Sequence, residues 1–325
     1  MSGRDEPAAR RASSAQGDDI VLPFQTERSG VAGRIVRLGT AADTILARHD
    51  YPDVVCGALG EALALTALLG SALKFEGKLI LQTKTDGILG FLVADFEVPG
   101  RLRGYASFDA ERLAAVAGAG AIAPAVLWGH GHLAMTIDPG GDMDRTQGVV
   151  ALEGVSLSDA ALSYFRQSEQ LPTLIRLAVA RHYSAGVWQW RAGGLLLQHV
   201  GREGGTARSP GEIAEAEELG LVIGETDDDW TRVALLAATV EDHELLDPTL
   251  APERLLYRLF HEEGVRVFQP RSVAEHCRCS RERVASMLGS FGAEELADMR
   301  EADGAITVKC EFCNTSYRFV PGGSS

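Results

Sequence analysis

Residues 20–198 read as short strands broken by turns, with few helical stretches between them. Ile20 to Phe24 is a short apolar run, and Val31 to Leu38 follows Ser29-Gly30 as a β-branched strand. Thr40 with Asp43 predicts a capping box for a helix through Ala47. Lys78 to Thr83 alternates, Asp86-Gly87 turns, and Ile88 to Ala94 returns, which predicts a hairpin. Leu102 to Phe108 is a further strand, and Asp109 caps a short helix to Ala117, ended by Gly118. Leu133 to Ile137 and Gly148 to Leu152 pair across Pro139-Gly140-Gly141. Ser158 caps a helix to about Glu169, and Thr173 to His182 and Val187 to Gln198 form two longer strands. Strands and helices mix without a regular βαβ repeat, which predicts an α+β core with antiparallel sheets.

One stretch departs from this texture. Val54 to Leu73 is twenty residues long, opens after Pro52 and carries a single charge, Glu61. That length spans a bilayer. Its Ala and Gly content, and a carboxylate near its middle, favour a buried core helix instead. Cys56 on that helix reads as a small core residue.

Beyond Gln198 the pattern becomes amphipathic and acidic. Glu203 to Glu263 holds sixteen acidic and four basic residues, a net of −12 out of −14 for the chain. Ser209-Pro210-Gly211-Glu212 starts one helix. Asp227-Asp228-Asp229 caps a second with Val233, Leu235, Leu236 and Val240, and Pro252 opens a third with Leu255, Leu256, Leu259 and Phe260. Like-charge repulsion predicts helices of marginal stability. The organisation expected is therefore a disordered tail (1–19), a core (20–200), an acidic, metastable helical linker (201–268) and a small C-terminal unit (269–321).

Four of the five cysteines lie in that last unit, as Cys277-Arg278-Cys279 and Cys310-Glu311-Phe312-Cys313. Four soft thiolates match the tetrahedral preference of Zn²⁺, so one ion per chain is expected on Cys277, Cys279, Cys310 and Cys313. Either close pair can also close as a strained, reducible disulfide once the metal leaves. Spacing alone leaves a structural zinc site and a redox switch both open. Arg278, Arg281 and Arg283 either favour thiolate at the first pair or form a solvated helix face. Ser280 caps a helix through Leu288, Glu294 to Arg300 forms a second, and Ile306 to Val308 and Tyr317 to Phe319 flank the second cysteine pair as a hairpin. About fifty residues bury little core, and zinc supplies roughly 10–16 kcal/mol in comparable peptides, so losing it should unfold the unit.

Composition narrows the function classes. Hydrophobic content of 46% and charged content of 23% are those of a soluble globular chain, expected in the cytoplasm since no signal-like apolar segment follows Arg10-Arg11. The net charge of −14 argues against sequence-independent nucleic-acid binding. Arg271 to Arg318 carries seven basic and eight acidic residues without a basic stripe, which disfavours the alternative of a nucleic-acid-binding zinc ribbon. Gly129-His130-Gly131-His132 lacks a third ligand, Gly118-Ala119-Gly120 lacks a dinucleotide-loop context, and no catalytic constellation stands out, so an enzyme with a structural zinc is also disfavoured.

The motif Cys277-Arg278-Cys279-Ser280-Arg281-Glu282-Arg283, followed by Cys310 and Cys313, resembles the redox-regulated 33 kDa heat-shock holdases of bacteria. His49-Asp50-Tyr51-Pro52, Leu73-Lys74-Phe75, Arg166 to Thr173 and Tyr257 to Glu263 resemble further stretches of that family, so the likeness spans about residues 20 to 320. The resemblance implies a non-enzymatic, ATP-independent chaperone, inactive when reduced and zinc-bound. It implies that oxidants form Cys277–Cys279 and Cys310–Cys313 disulfides, release zinc and unfold the linker. It further implies that an oxidised homodimer then holds unfolding client proteins until thiol reductants and ATP-dependent foldases take over. Asn314-Thr315-Ser316 departs from the family's pattern, in which glycine follows the last cysteine.

Overall fold

The computed structural model describes residues 17–116, 122–141, 143–199 and 228–320. Two sheets, antiparallel except for one short parallel edge pairing, pack against one long helix. The first sheet runs β10-β1-β2-β9-β8, with β11 also on β1. Its strands are β1 (Ile20–Thr26), β2 (Ala32–Leu38), β8 (Thr173–Ser184), β9 (Val187–Gln198), β10 (Val265–Val267) and β11 (Arg271–Ser272). The second runs β12-β5-β4-β3-β6-β7, from β3 (Lys78–Thr85), β4 (Phe91–Glu97), β5 (Arg101–Ser107), β6 (His130–Asp138), β7 (Thr146–Glu153) and β12 (Ala274–Glu275).

Helix α2 (Asp53–Gly70) packs against strands of both sheets. It is long and apolar enough to cross a membrane, yet 72% of it is buried inside the fold. Alanine and glycine permit that double contact: a Cβ on Gly60 would sit 2.7 Å from Val179. Cys56 is 2% exposed within this core.

Several caps differ from expectation. Helix α1 (Thr40–Leu46) has Gly39 at its N-cap and no capping side chain of its own. The amides of Gly39 and Ala41 donate instead to Asp19 Oδ1, at 2.9 and 3.0 Å. Asp43 turns away to accept from the Trp190 amide at 2.8 Å. The expected 1–19 tail thus includes an ordered end, since Asp19 caps α1 and Asp18 pairs with Arg191; residues 1–16 lie outside the described ones. The Ser158 cap is also displaced: Ser156 and Asp159 form the reciprocal capping box of α5 (Leu157–Tyr164), which runs into a π-turn at Phe165–Glu169. Ile88 and Leu89, expected to open a strand, are buried in the loop before β4. Asp109 does cap α3 (Ala110–Val116), accepting from Glu111 and Arg112. A short helix, α4 (Pro124–Trp128), precedes β6.

The first part of the acidic linker, including the Ser209-Pro210 helix, and Gly118-Ala119-Gly120 lie outside the described residues. The rest folds as α6 (Asp228–Ala238), α7 (Asp242–Leu246) and α8 (Pro252–Phe260). Trp230, Val233, Leu255, Leu256, Leu259 and Phe260 are buried against Leu22, Phe24, Ile35 and Leu195 of the first sheet, making a second core. Three of the acids are held by arginines: Arg232 bridges Asp229 and Glu263, each at 2.6 Å, and Arg258 meets Glu244 at 2.5 Å. The stability of these helices therefore depends on their seat on the sheet rather than on themselves.

Candidate metal centre

The cysteine lobe is built on two turns. Ser280 Oγ accepts from the Arg283 amide at 3.2 Å, which starts α9 (Arg281–Leu288) immediately after Cys279. The hairpin of β13 (Ile306–Lys309) and β14 (Ser316–Phe319) carries Cys310 and Cys313 in its loop. That loop closes through Asn314 N–H to Cys310 O at 2.8 Å and Cys310 N–H to Thr315 O at 2.9 Å. A last helix, α10 (Ala293–Asp298), buries none of its residues. Among the described residues beyond Cys277 only Val284, Leu288 and Ala305 are buried hydrophobics, so the lobe's own core is too small to hold it.

The four sulfurs converge. Cys277, Cys279, Cys310 and Cys313 offer Sγ atoms all within 4.8 Å of one another. Cys277–Cys279, Cys277–Cys310 and Cys279–Cys313 are 3.4, 3.7 and 3.2 Å apart. A tetrahedral ion with bonds of about 2.3 Å asks for sulfurs about 3.8 Å apart, so the cluster fits Zn²⁺ after a small expansion. It is the one such grouping among the described residues; His130 and His132 sit on β6 and belong to no group of three or more such side chains.

The electrostatics are supplied differently from what the sequence suggests. Arg278 turns from the sulfurs to Asp95 (2.7 Å) and Glu97 (3.3 Å) of β4. Arg281 lies over the Phe319 ring at 4.7 Å, and Arg283 donates to Arg278 O at 2.6 Å. The expectation that these arginines favour thiolate at the first pair is thus corrected: they tie the lobe to itself and to the core. Hydroxyls contact the sulfurs instead, Tyr317 at 3.1 Å from Cys279 and Thr315 at 3.2 Å from Cys313. Burial raises the Cys313 thiol, but hydrogen bonds from Thr315 and Cys279 outweigh it and bring the thiol down to about 6. Burial, with hydrogen bonding to neighbouring thiols, pushes Cys279 up to about 12 against the Tyr317 bond. Arg48, on the core, is the cation whose charge reaches Cys313 and Cys277; its distance in sequence hid it.

The lobe is docked on the edge of the second sheet. β12 pairs in parallel with β5, and the His276 amide donates to Leu102 O at 2.9 Å. Arg103 lies 3.9 Å over the Phe312 ring, and Arg48 meets Glu275 at 2.6 Å. The segment 265–275 thus joins both sheets, as β10 and β11 on β1 and as β12 on β5. It connects the last linker helix directly to Cys277.

Fold and site define a two-sheet α+β protein in which a four-thiol lobe, lacking its own core, is docked beside a helical linker. A family model described as Hsp33 protein matches residues 19–320. The 33 kDa chaperonin of Caulobacter vibrioides strain NA1000 / CB15N is 46% identical over 309 residues, covering 94% of this chain and 96% of that protein. The 33 kDa chaperonin of Nitrosococcus oceani is 38% identical over 301 residues, covering 93% and 91%. The crystal structure of the 33 kDa chaperonin of Thermotoga maritima shares the fold, with a TM-score of 0.70 at 21% identity and coverage of 93% and 95%. The chain belongs to the Hsp33 family.

Proposed function

We propose that this chain is a redox-regulated, ATP-independent holdase in the cytoplasm, held inactive by zinc on Cys277, Cys279, Cys310 and Cys313. The observation that carries the reading is the convergence of those sulfurs in a lobe with almost no buried core, joined by the segment 265–275 to helices seated on an apolar sheet. When bound, the ion would cross-link the two cysteine turns, supplying the folding free energy that the lobe lacks.

Oxidation removes that cross-link. In each pair a thiolate attacks one oxygen of a peroxide, giving a sulfenic acid and hydroxide, which a proton turns into water. The partner thiol then displaces a second water and closes the S–S bond. Two peroxides thus accept four electrons from four thiols, and the resulting disulfides are poor ligands. All Sγ separations lie within 4.8 Å, so distance does not select the pairing. Cys277–Cys279 and Cys310–Cys313 are proposed on family resemblance.

The consequence passes along the chain. An unfolded lobe withdraws β12 from β5 and pulls on β11 and β10, which are strands of two and three residues at a sheet edge. Helices α8, α7 and α6 then lose their anchored end, and the apolar face of the first sheet opens to unfolding clients. Assembly of the oxidised form as a homodimer, and hand-over to thiol reductants and ATP-dependent foldases, complete the proposal. The test is to treat purified reduced protein with warm peroxide while following zinc release, thiol count and light scattering by an aggregating client. Zinc release with suppressed aggregation is expected. Suppression that persists unchanged in a chain with all four cysteines replaced by serine, yet still requires oxidant, would place the switch elsewhere.

A further inference from the structure

The seat of the linker is not purely apolar. Arg37 on β2 is 2% exposed, and its guanidinium faces main chain. It donates to the carbonyls of Asp247 and Glu244, each at 2.8 Å, and also to that of Leu250. Among the described residues no carboxylate forms an ion pair with it. On the neighbouring strand β9, Arg191 is 7% exposed and donates to Leu246 O at 2.6 Å while pairing with Asp18. Gly193, the residue paired with Arg37 across the ladder, completes the seat: a Cβ there would lie 2.6 Å from Leu245 O. Two buried cations and one bare backbone position thus accommodate the turn 244–250 through its carbonyls, without reading its side chains.

Such a site discriminates between folded and unfolded polypeptide. Carbonyls inside helices and sheets are already bonded, whereas those of an unfolded segment are free to accept. A guanidinium offers five donors in a fixed fork and keeps its charge when buried, which suits carbonyl capture at the margin of an apolar face. If the linker leaves, Arg37 loses every one of these acceptors at once, and its donors turn to water, which an incoming carbonyl exchanges for a charge-assisted bond.

We propose that Arg37 and Arg191 form a main-chain-reading site, filled by the linker turn in the reduced chain and offered to the carbonyls of an unfolded client once that turn departs. This rests on the holdase reading above. It adds that the linker occupies the client's place through its backbone, so the site takes unfolded segments irrespective of sequence.

The test uses the full chain and two variants, Arg37→Met and Arg37→Lys, with folding checked by circular dichroism. In the reduced state, hydrogen exchange at amides 242–250 is expected to accelerate at least about tenfold in Arg37→Met and less in Arg37→Lys, as loss of charge-assisted bonds implies. Unchanged exchange in Arg37→Met overturns the proposal. In the oxidised state, with equal linker exposure in all forms, a labelled synthetic peptide of residues 228–260 serves as probe. Arg37→Met is expected to bind it at least about tenfold more weakly than wild type, and equal binding overturns the proposal. Should Arg37→Met fail to fold, Arg37→Lys decides by the same two readouts, with a shift in the same direction expected and no shift counting against the site. Should oxidised wild type bind no unfolded chain, the holdase reading fails, and with it the client half of the proposal. The reduced-state exchange still decides the linker half.

Discussion

Arg278, the residue between the first two cysteines, pairs at 2.7 Å with Asp95, a β4 carboxylate whose side chain is 5% exposed. Asp95 is also held by Arg103 at 2.6 Å. Removing Arg278 therefore leaves the buried carboxylate paired, while removing Asp95 takes the carboxylate from Arg103 and leaves Arg278 with Glu97 alone. Arg278→Ala should change core stability by no more than about 1 kcal/mol, yet free the Cys277–Cys279 turn and lower the peroxide dose for half-maximal zinc release. Asp95→Ala should cost roughly 3–5 kcal/mol of core stability. Thermal melts and zinc-release titrations separate the two. Equal peroxide sensitivity in Arg278→Ala and wild type would show that this bridge does not restrain the lobe.

Cys56 gives a built-in control for thiol counting. Burial pushes its thiol up to about 11, with Asp53 adding to the shift, so it stays protonated near neutral pH. A buried, protonated thiol reacts slowly with peroxide. After oxidation, one thiol per chain should remain titratable in denaturant, and Cys56→Ala should abolish it while leaving activation intact. Loss of all five thiols in folded protein, seen by mass spectrometry, would contradict this.

The cysteine cluster is legible because its signal is local: two short spacings set out the four thiols that the fold brings together. The core's class was legible too, because alternation and turn residues act over a few positions. What connects the lobe to the core was not. Arg48 and Glu275, or Arg278 and Asp95, are far apart in sequence, and a charge run such as Arg278, Arg281, Arg283 reads as a thiolate-favouring patch until partners are seen. The cap of α1 is hidden for the same reason, since Asp19 reaches it from outside the helix. The apolar stripe of the linker, Leu255 included, is legible in the sequence, whereas its partners Leu22, Phe24 and Leu195 on the first sheet are not.

Asn314, which follows the last cysteine, has two structural roles. Its φ of 61° lies in the left-handed region, where asparagine is tolerated far better than most non-glycine residues. Its Nδ2 also donates to Arg48 O at 2.8 Å, adding a lobe-to-core bond that glycine cannot make. Asn314→Gly should bind zinc within about twofold of wild type, whereas Asn314→Ala should lose about 1 kcal/mol, or about fivefold in affinity, through backbone strain. Competition with a chromophoric chelator measures both. Both variants should also release the lobe from the core more readily, visible as faster exchange at amides 310–316. A zinc affinity in Asn314→Ala equal to that of Asn314→Gly would remove the strain argument.

Glu61 carries the pH dependence of the core. It sits in the middle of α2, and burial raises its carboxyl to about 7, with Asp242 of the linker adding repulsion. The folded value lies above the ordinary one near 4.5, so the folded chain binds the proton more tightly than the unfolded chain. The associated stability is fully present below pH 4.5 and is lost as pH rises through about 7. The full swing is at most roughly 3 kcal/mol, and partial solvent access reduces it. Glu61→Gln should flatten the stability profile between those limits and raise the melting temperature at pH 8. Because Asp242 opens α7, part of the gain should appear as slower hydrogen exchange in the linker at pH 8, in reduced protein. A Glu61→Gln chain that melts at the wild-type temperature across pH 5–8 would show that this carboxyl is solvated and titrates normally.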